Sequence, residues 1–201
     1  MTPADDVVRR QDALQGEAEA VSLDLELQER LSTLGDPVRV GSAALGLMVR
    51  RDLDMTTTCP ALGMPVTEAV AQLGARLAVH PRVRQVQFRD DTGHWNTDPA
   101  YPDGLYLGVR YRSPQGHDWT LDLWFVDEPE RQPDLADLRT MPPRLTGEAR
   151  VAILRIKDAW ADRPEYGVAV RGVDVYRSVL DDGVRTPEQF TQWLSARSHR
   201  S

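Results

Sequence analysis

Val40-Gly41-Ser42-Ala43-Ala44-Leu45-Gly46-Leu47-Met48-Val49-Arg50-Arg51-Asp52-Leu53-Asp54-Met55 decides how this chain is read. Pro37 to Val40 has the pattern of a short strand, and Gly41-Ser42 cuts it off. Ala43 to Met48 is small and apolar, which suits a short helix packed against a sheet. Arg51 to Thr57 returns to an extended pattern. A glycine at a strand-to-helix turn lets the backbone approach a ligand closely. The amide N–H groups at a helix start favour a phosphate, and Ser42 adds a hydroxyl donor. Residues two apart in a strand share a face, so Asp52 and Asp54 point the same way while Leu53 packs inward. Two such carboxylates repel each other unless a divalent cation lies between them. Mg2+ is commonly held by carboxylates together with substrate phosphates.

A third acid is expected on a neighbouring strand. Trp119-Thr120-Leu121-Asp122-Leu123-Trp124-Phe125-Val126 supplies it. Alternation puts Thr120, Asp122 and Trp124 on one side and Leu121, Leu123 and Phe125 on the other. A mid-strand carboxylate among apolar neighbours is unfavourable unless it is paired or bound to metal. Asp118 and Asp127 lie at the strand ends, where a solvated acid needs no such explanation.

Outward from these two stretches the pattern is mixed. Residues 5–34 read as one long helix, with Leu14, Val21, Leu25 and Leu31 at helical spacing. Gly35-Asp36-Pro37 stops it. Pro65 to Val79 reads as a second helix. Val83 to Arg89 and Leu105 to Tyr111 read as strands, and Ser113-Pro114-Gln115-Gly116 as the hairpin turn leading to Asp118–Val126. Asp90 to Gly104 reads as a loop. The proline-rich stretch from Asp127 to Arg144 reads as a linker. Thr146 caps a helix to Trp160, Gly172 to Asp181 suits a short helix, and Thr186-Pro187-Glu188-Gln189 opens a last one. The expected division is an N-terminal helix over 1–35, a core over 36–127, a linker over 128–145 and a helical C-terminal part over 146–201. The fold class is α/β: a mixed sheet carrying the acids, flanked by helices.

Composition narrows the function classes. The chain has 201 residues, 41% hydrophobic and 27% charged, ordinary for a soluble globular protein. Its net charge of −7 disfavours a nucleic-acid or anionic-membrane partner recognised through the global field. No apolar run approaches the ~20 residues of a membrane span. Met1-Thr2-Pro3-Ala4-Asp5-Asp6 is acidic, unlike a secretory leader. The single cysteine, Cys59, excludes an intrachain disulfide and argues against a cysteine-based zinc site. A cytoplasmic location is expected.

Gly41, Ser42, Asp52, Asp54 and Asp122, in this order, resemble the nucleotidyltransferase superfamily, the group with the DNA polymerase β-like fold. The resemblance spans residues 36–127. Val175-Tyr176-Arg177-Ser178-Val179-Leu180, with Gly183-Val184-Arg185-Thr186, also looks like the C-terminal part of bacterial nucleotidyltransferase-like proteins of unassigned substrate. The resemblance implies metal-dependent transfer of a nucleoside monophosphate from a nucleoside triphosphate to an acceptor hydroxyl. It implies Asp52 and Asp54 as ligands of Mg2+ or Mn2+. Asp122 would be the third ligand, acting on the acceptor hydroxyl, and Gly41 and Ser42 would hold the β and γ phosphates. Lys157, the only lysine, would be a cation near the triphosphate, against its reading as a plain surface lysine.

The short chain and acidic charge point to a small-molecule acceptor. Two alternatives stay open. One is a catalytically degenerate nucleotide-binding or regulatory module, such as a toxin–antitoxin component. The other is nucleotidyl transfer to protein or RNA, for which a basic groove would speak. Arg50 and Arg51 read equally as a solvated strand end or as partners of triphosphate or acids. His94 and Trp95 read as an exposed loop, Cys59 as an inert small residue, and Tyr166 and Tyr176 as packing residues.

Overall fold

The computed structural model describes residues 3–198. Met1 and Thr2 of the acidic N-terminal segment, and 199–201 of the C-terminal part, lie outside the described residues. The chain divides into two compact units. One comprises Gly16–Leu45 and Arg51–Arg139. The other comprises Met1–Gln15, Gly46–Arg50 and Thr140–Ser201. The division is therefore interleaved along the sequence. The boundaries read at 35, 127 and 145 follow local composition, which does not report which segments pack together.

The first unit holds a five-stranded mixed sheet. In chain order its strands are β1 (Asp36–Arg39), β2 (Asp52–Thr58), β3 (Val83–Asp91), β4 (Gly104–Arg112) and β5 (Asp118–Val126). Their order across the sheet is β1-β2-β5-β4-β3. Only β2 and β5 run parallel; the other neighbours are antiparallel. The strands obey the alternation expected of a sheet with one covered face. Leu53 and Met55 of β2, Leu105, Leu107 and Val109 of β4, and Leu121, Leu123 and Phe125 of β5 are at most 3% exposed. The residues between them form the polar face.

Helix α4 (Met64–Ala78) packs on β3 and β4, opening with a proline in its first turn as expected of a helix start. It approaches closely because position 74 is glycine: a Cβ there would lie 3.2 Å from Leu107. Helix α3 (Gly41–Leu45) is shorter and earlier than the Ala43–Met48 stretch suggests. Gly46, at φ +67°, ends it.

Two expectations change. Residues 5–34 form two helices, α1 (Pro3–Asp24) and α2 (Leu27–Ser32). Glu26 breaks them, with φ 52° in the left-handed region, while Leu25, Leu27 and Leu31 stay buried on both sides of the kink. Apolar spacing continued through the break and hid it. The presumed linker 128–145 contains helix α5 (Pro133–Thr140), flanked by single 3-10 turns at Pro129–Arg131 and Pro142–Arg144. Its prolines sit at helix starts, where a missing N–H is harmless.

The second unit contains helices α6 (Gly147–Trp160), α7 (Gly172–Leu180) and α8 (Pro187–Ser198). Thr146 caps α6 by accepting the Ala149 N–H. Its core includes Ile153, Ile156, Val175 and Phe190, each fully buried, with Phe190 edge-on to Trp160. Among the described residues, no helix is long and apolar enough to cross a membrane.

Candidate active site

Asp52 and Asp54 alternate with buried Leu53 on β2, and Asp122 lies on β5 between buried Leu121 and Leu123. The parallel register pairs Asp54 directly with Asp122, and Asp52 with Thr120. One carboxylate oxygen from each of Asp52, Asp54 and Asp122 lies within 4.8 Å of the other two. All three residues are partly exposed, so the cluster opens to solvent.

Gly41 lies against this cluster. A Cβ at position 41 would come 2.4 Å from Asp54 Oδ2, and the backbone holds φ +61°. Both facts demand glycine, since side chains avoid left-handed φ and no atom fits so near the carboxylate. Ser42 follows in the first turn of α3 and is partly exposed. A five-residue helix carries little macrodipole, so the hydroxyl and the local amides matter here more than the helix field.

A neighbour unforeseen in the sequence completes the geometry. The Tyr106 hydroxyl on β4 donates to Asp122 Oδ1. Gly108, the register partner of Asp122, makes this possible: a Cβ at 108 would lie 2.5 Å from the Tyr106 hydroxyl oxygen. Burial first, then the hydrogen bond and charge of Asp122, push the Tyr106 phenol well above its ordinary value of 10. It therefore stays a donor at all ordinary pH. Arg89 on β3 lies over the Tyr106 ring at 4.6 Å and over the Trp124 ring at 5.4 Å. A glycine inside a strand marks a close approach. That signal at Gly108, with Tyr106 on the same face, was available in the sequence.

The remaining candidates have structural partners. Arg51 makes a two-pronged ion pair with Glu17, at 2.7 and 3.0 Å. Arg50 lies 4.8 Å over the Tyr166 ring. Asp118 pairs with Arg112, and Asp127 accepts the Leu62 N–H. Trp95 is exposed, with His94 beside it. Cys59 is buried, and burial pushes its thiol to about 11, far from a reactive thiolate.

Lys157 is no surface lysine. It is 4% exposed, and its Nζ donates to the Leu47 carbonyl at 2.6 Å and the Tyr176 hydroxyl at 3.2 Å, all within the second unit.

In sequence, no family model and no curated protein matches the chain. Solved structures do. The STING-associated CdnE c-di-GMP synthase from Capnocytophaga granulosa superposes with a TM-score of 0.53 at 10% identity, over 85% of this chain and 60% of that one. This likeness shows a shared fold. A cytoplasmic RNA terminal U-transferase (TM-score 0.46, 16% identity) and Cid1 bound to the UTP analogue UMPNPP (0.45, 14%) are looser matches. Each covers 79% of this chain and 42% of the other. The chain thus spans between about two-fifths and three-fifths of the length of these structures. In the fold seen here, β2 carries the paired acids, β5 the third, and the β1–α3 turn supplies Gly41.

Proposed function

We propose that this protein transfers a nucleoside monophosphate from a nucleoside triphosphate to a hydroxyl of a small-molecule acceptor. The observation that carries the reading is the meeting of Asp52, Asp54 and Asp122 against the bare backbone of Gly41, on this fold. The c-di-GMP synthase of the same fold supports it.

The donor set suits Mg2+ or Mn2+. All three groups are hard carboxylate oxygens, the ligand type these ions take. Two oxygens each ~2.1 Å from a shared ion are at most ~4.2 Å apart, so a cluster within 4.8 Å needs only small side-chain adjustment. When bound, such ions supply positive charge to the attacking and leaving oxygens of an in-line displacement. Asp52 and Asp54 would hold them, and Asp122 would complete the set.

The protein's own groups divide the remaining work. Gly41 lets the backbone approach the β and γ phosphates, and the Ser42 hydroxyl donates to them. Tyr106 occupies Oδ1 of Asp122 and fixes its orientation. Asp122 takes the proton of the acceptor hydroxyl. The acceptor oxygen bonds to the α-phosphorus, the α–β anhydride bond breaks, and pyrophosphate leaves. Lys157 is engaged within its own unit, and no phosphate contact is assigned to it.

The test is a screen of nucleoside triphosphates with Mg2+ or Mn2+, read as thermal shift and then as pyrophosphate release with pooled acceptors. Metal-dependent binding followed by release supports the proposal. Binding without release on any acceptor pool favours the degenerate module, and no metal-dependent binding at all sinks both.

A further inference from the structure

At one end of β3, β4 and β5 lies a cavity of about 690 Å3. Arg82, Arg84, Arg110 and Arg112 line it, with Asp118 and Thr120. The sequence, read linearly, shows no basic groove; the sheet assembles one in a chain of net charge −7. Two of the guanidiniums are neutralised: Arg82 by both oxygens of Asp24, and Arg112 by both oxygens of Asp118. Arg110 donates to the neutral Thr120 hydroxyl. Arg84 sits at the irregularity where the β3–β4 register shifts between Val83 and Gln85; its guanidinium makes no direct hydrogen bond or ion pair among the described residues, and its charge acts at longer range on Asp118, which Arg112 already holds. Arg84 and Arg110 therefore leave the cavity with positive charge and unspent donors.

The cavity adjoins the acids. Arg110 is the register partner of Thr120, and Gly108 of Asp122. The two pairs share one face and are two residues apart, about 7 Å along the strands. That is the reach of a sugar phosphate from a ring hydroxyl to its phosphate. The Tyr106 and Trp124 rings, on the other side of Asp122, are already covered by Arg89. Recognition by charge is better provided for here than recognition by stacking.

We propose that Arg84 and Arg110 bind the phosphate of the acceptor, so that the acceptor is a phosphorylated small molecule with a free hydroxyl directed at Asp122. This rests on the nucleotidyl-transfer reading. Guanidinium groups match phosphate with paired hydrogen bonds. The volume lies in the range of small-molecule sites, and the four arginines line one cavity. Both facts favour a small ligand over a nucleic-acid strand.

The test has two arms. In EDTA, where metal-dependent triphosphate binding is off, the parent is titrated with adenosine 5′-monophosphate, ribose 5-phosphate and adenosine. Both phosphates should bind, and adenosine at least 10-fold more weakly. Ribose 5-phosphate matching the nucleotide assigns a sugar phosphate, and a weaker one a nucleotide; either supports the site. The Arg84→Gln/Arg110→Gln double variant should bind the phosphates about 10- to 100-fold more weakly, whereas Asp54→Asn should bind them as the parent does. Equal binding of adenosine and its phosphate, or an unaffected double variant, overturns the proposal. So does a ribo-oligonucleotide held at least 10-fold more tightly through the same arginines.

In the second arm, Mg2+-dependent triphosphate binding is measured on the same proteins. It should survive in the double variant and fail in Asp54→Asn. Its absence from the parent, with metal-free phosphate binding intact, sinks nucleotidyl transfer and not the anion site. Transfer to a pooled phosphorylated acceptor should disappear once the pool is treated with phosphatase; undiminished transfer overturns the acceptor assignment.

Discussion

Asp54 Oδ2 occupies the space that a Cβ at residue 41 would need, 2.4 Å from that position, while Gly41 holds φ +61°. The turn and the carboxylate are thus fitted to each other. Gly41→Ala incurs a left-handed penalty of about 1–2 kcal/mol. It also displaces Asp54. Urea unfolding should show the loss of stability, and calorimetry should show weakened metal-dependent triphosphate binding. Unchanged binding would mean that the turn is structural only.

Three carboxylates within 4.8 Å repel one another until a cation joins them. Mg2+ with a nucleoside triphosphate should therefore raise the melting temperature, by about 2.7 kcal/mol of stability at ligand 100-fold above its dissociation constant. Asp54→Asn should fold at least as well as the parent and lose that gain. An equal gain in both proteins would place the metal elsewhere.

Tyr106→Phe removes the donor to Asp122 Oδ1 while leaving the ring over which Arg89 lies. Transfer should fall about 10-fold, the worth of a hydrogen bond to a charged group at the lower end of its range. Triphosphate binding should change little. Gly108→Ala should mimic it, because the added methyl group would sit 2.5 Å from the Tyr106 hydroxyl oxygen. The Tyr106 phenol is raised in the folded state by burial and by Asp122, so its stabilising contribution is full below pH 10 and is lost as pH rises towards its folded value. Ultraviolet titration of the parent should show Tyr106 ionising late together with Tyr111, whose phenol burial and Asp24 push up to about 12, and Tyr106→Phe should remove one of the late ionisations.

Glu17 anchors Arg51 immediately before Asp52. Its hydrogen bond to Arg51 is the largest cause of a carboxyl held below the usual 4.5, opposed by burial and helped by His117. A depressed folded pKa contributes stability above the unfolded value and loses it as pH falls through the folded value. Glu17→Gln should thus be less stable than the parent at pH 7, with the gap closing below about pH 4.5. Denaturant midpoints across that range provide the check. A gap independent of pH would assign the effect to packing.

The sequence by itself determined what depends on neighbours along the chain. Alternation placed β5 at Asp118–Val126 and put Asp52 and Asp54 on one face. Proline at a helix start located α4 and α8 to within a residue or two, and Gly41-Ser42 marked the turn. Where two local signals disagreed, the reading failed: continuous apolar spacing hid the kink at Glu26, and prolines disguised α5 as a linker.

Beyond the β4–β5 hairpin, only the tertiary structure decided which strands adjoin. The pairing of Asp54 with Asp122 crosses most of the core's sequence, through a helix and two other strands, and no local pattern sets that register. The antiparallel pairings of β4 with β5 and with β3 bring Tyr106 to Asp122 over Gly108 and gather Arg84, Arg110 and Arg112, with Arg82 just before β3, around one cavity. It also falls to packing that Lys157 is buried on a carbonyl of a distant segment. Periodicity tells which way a side chain faces, because backbone geometry is local. What it faces depends on long-range pairing, whose chain-entropy cost is offset only by the whole core at once.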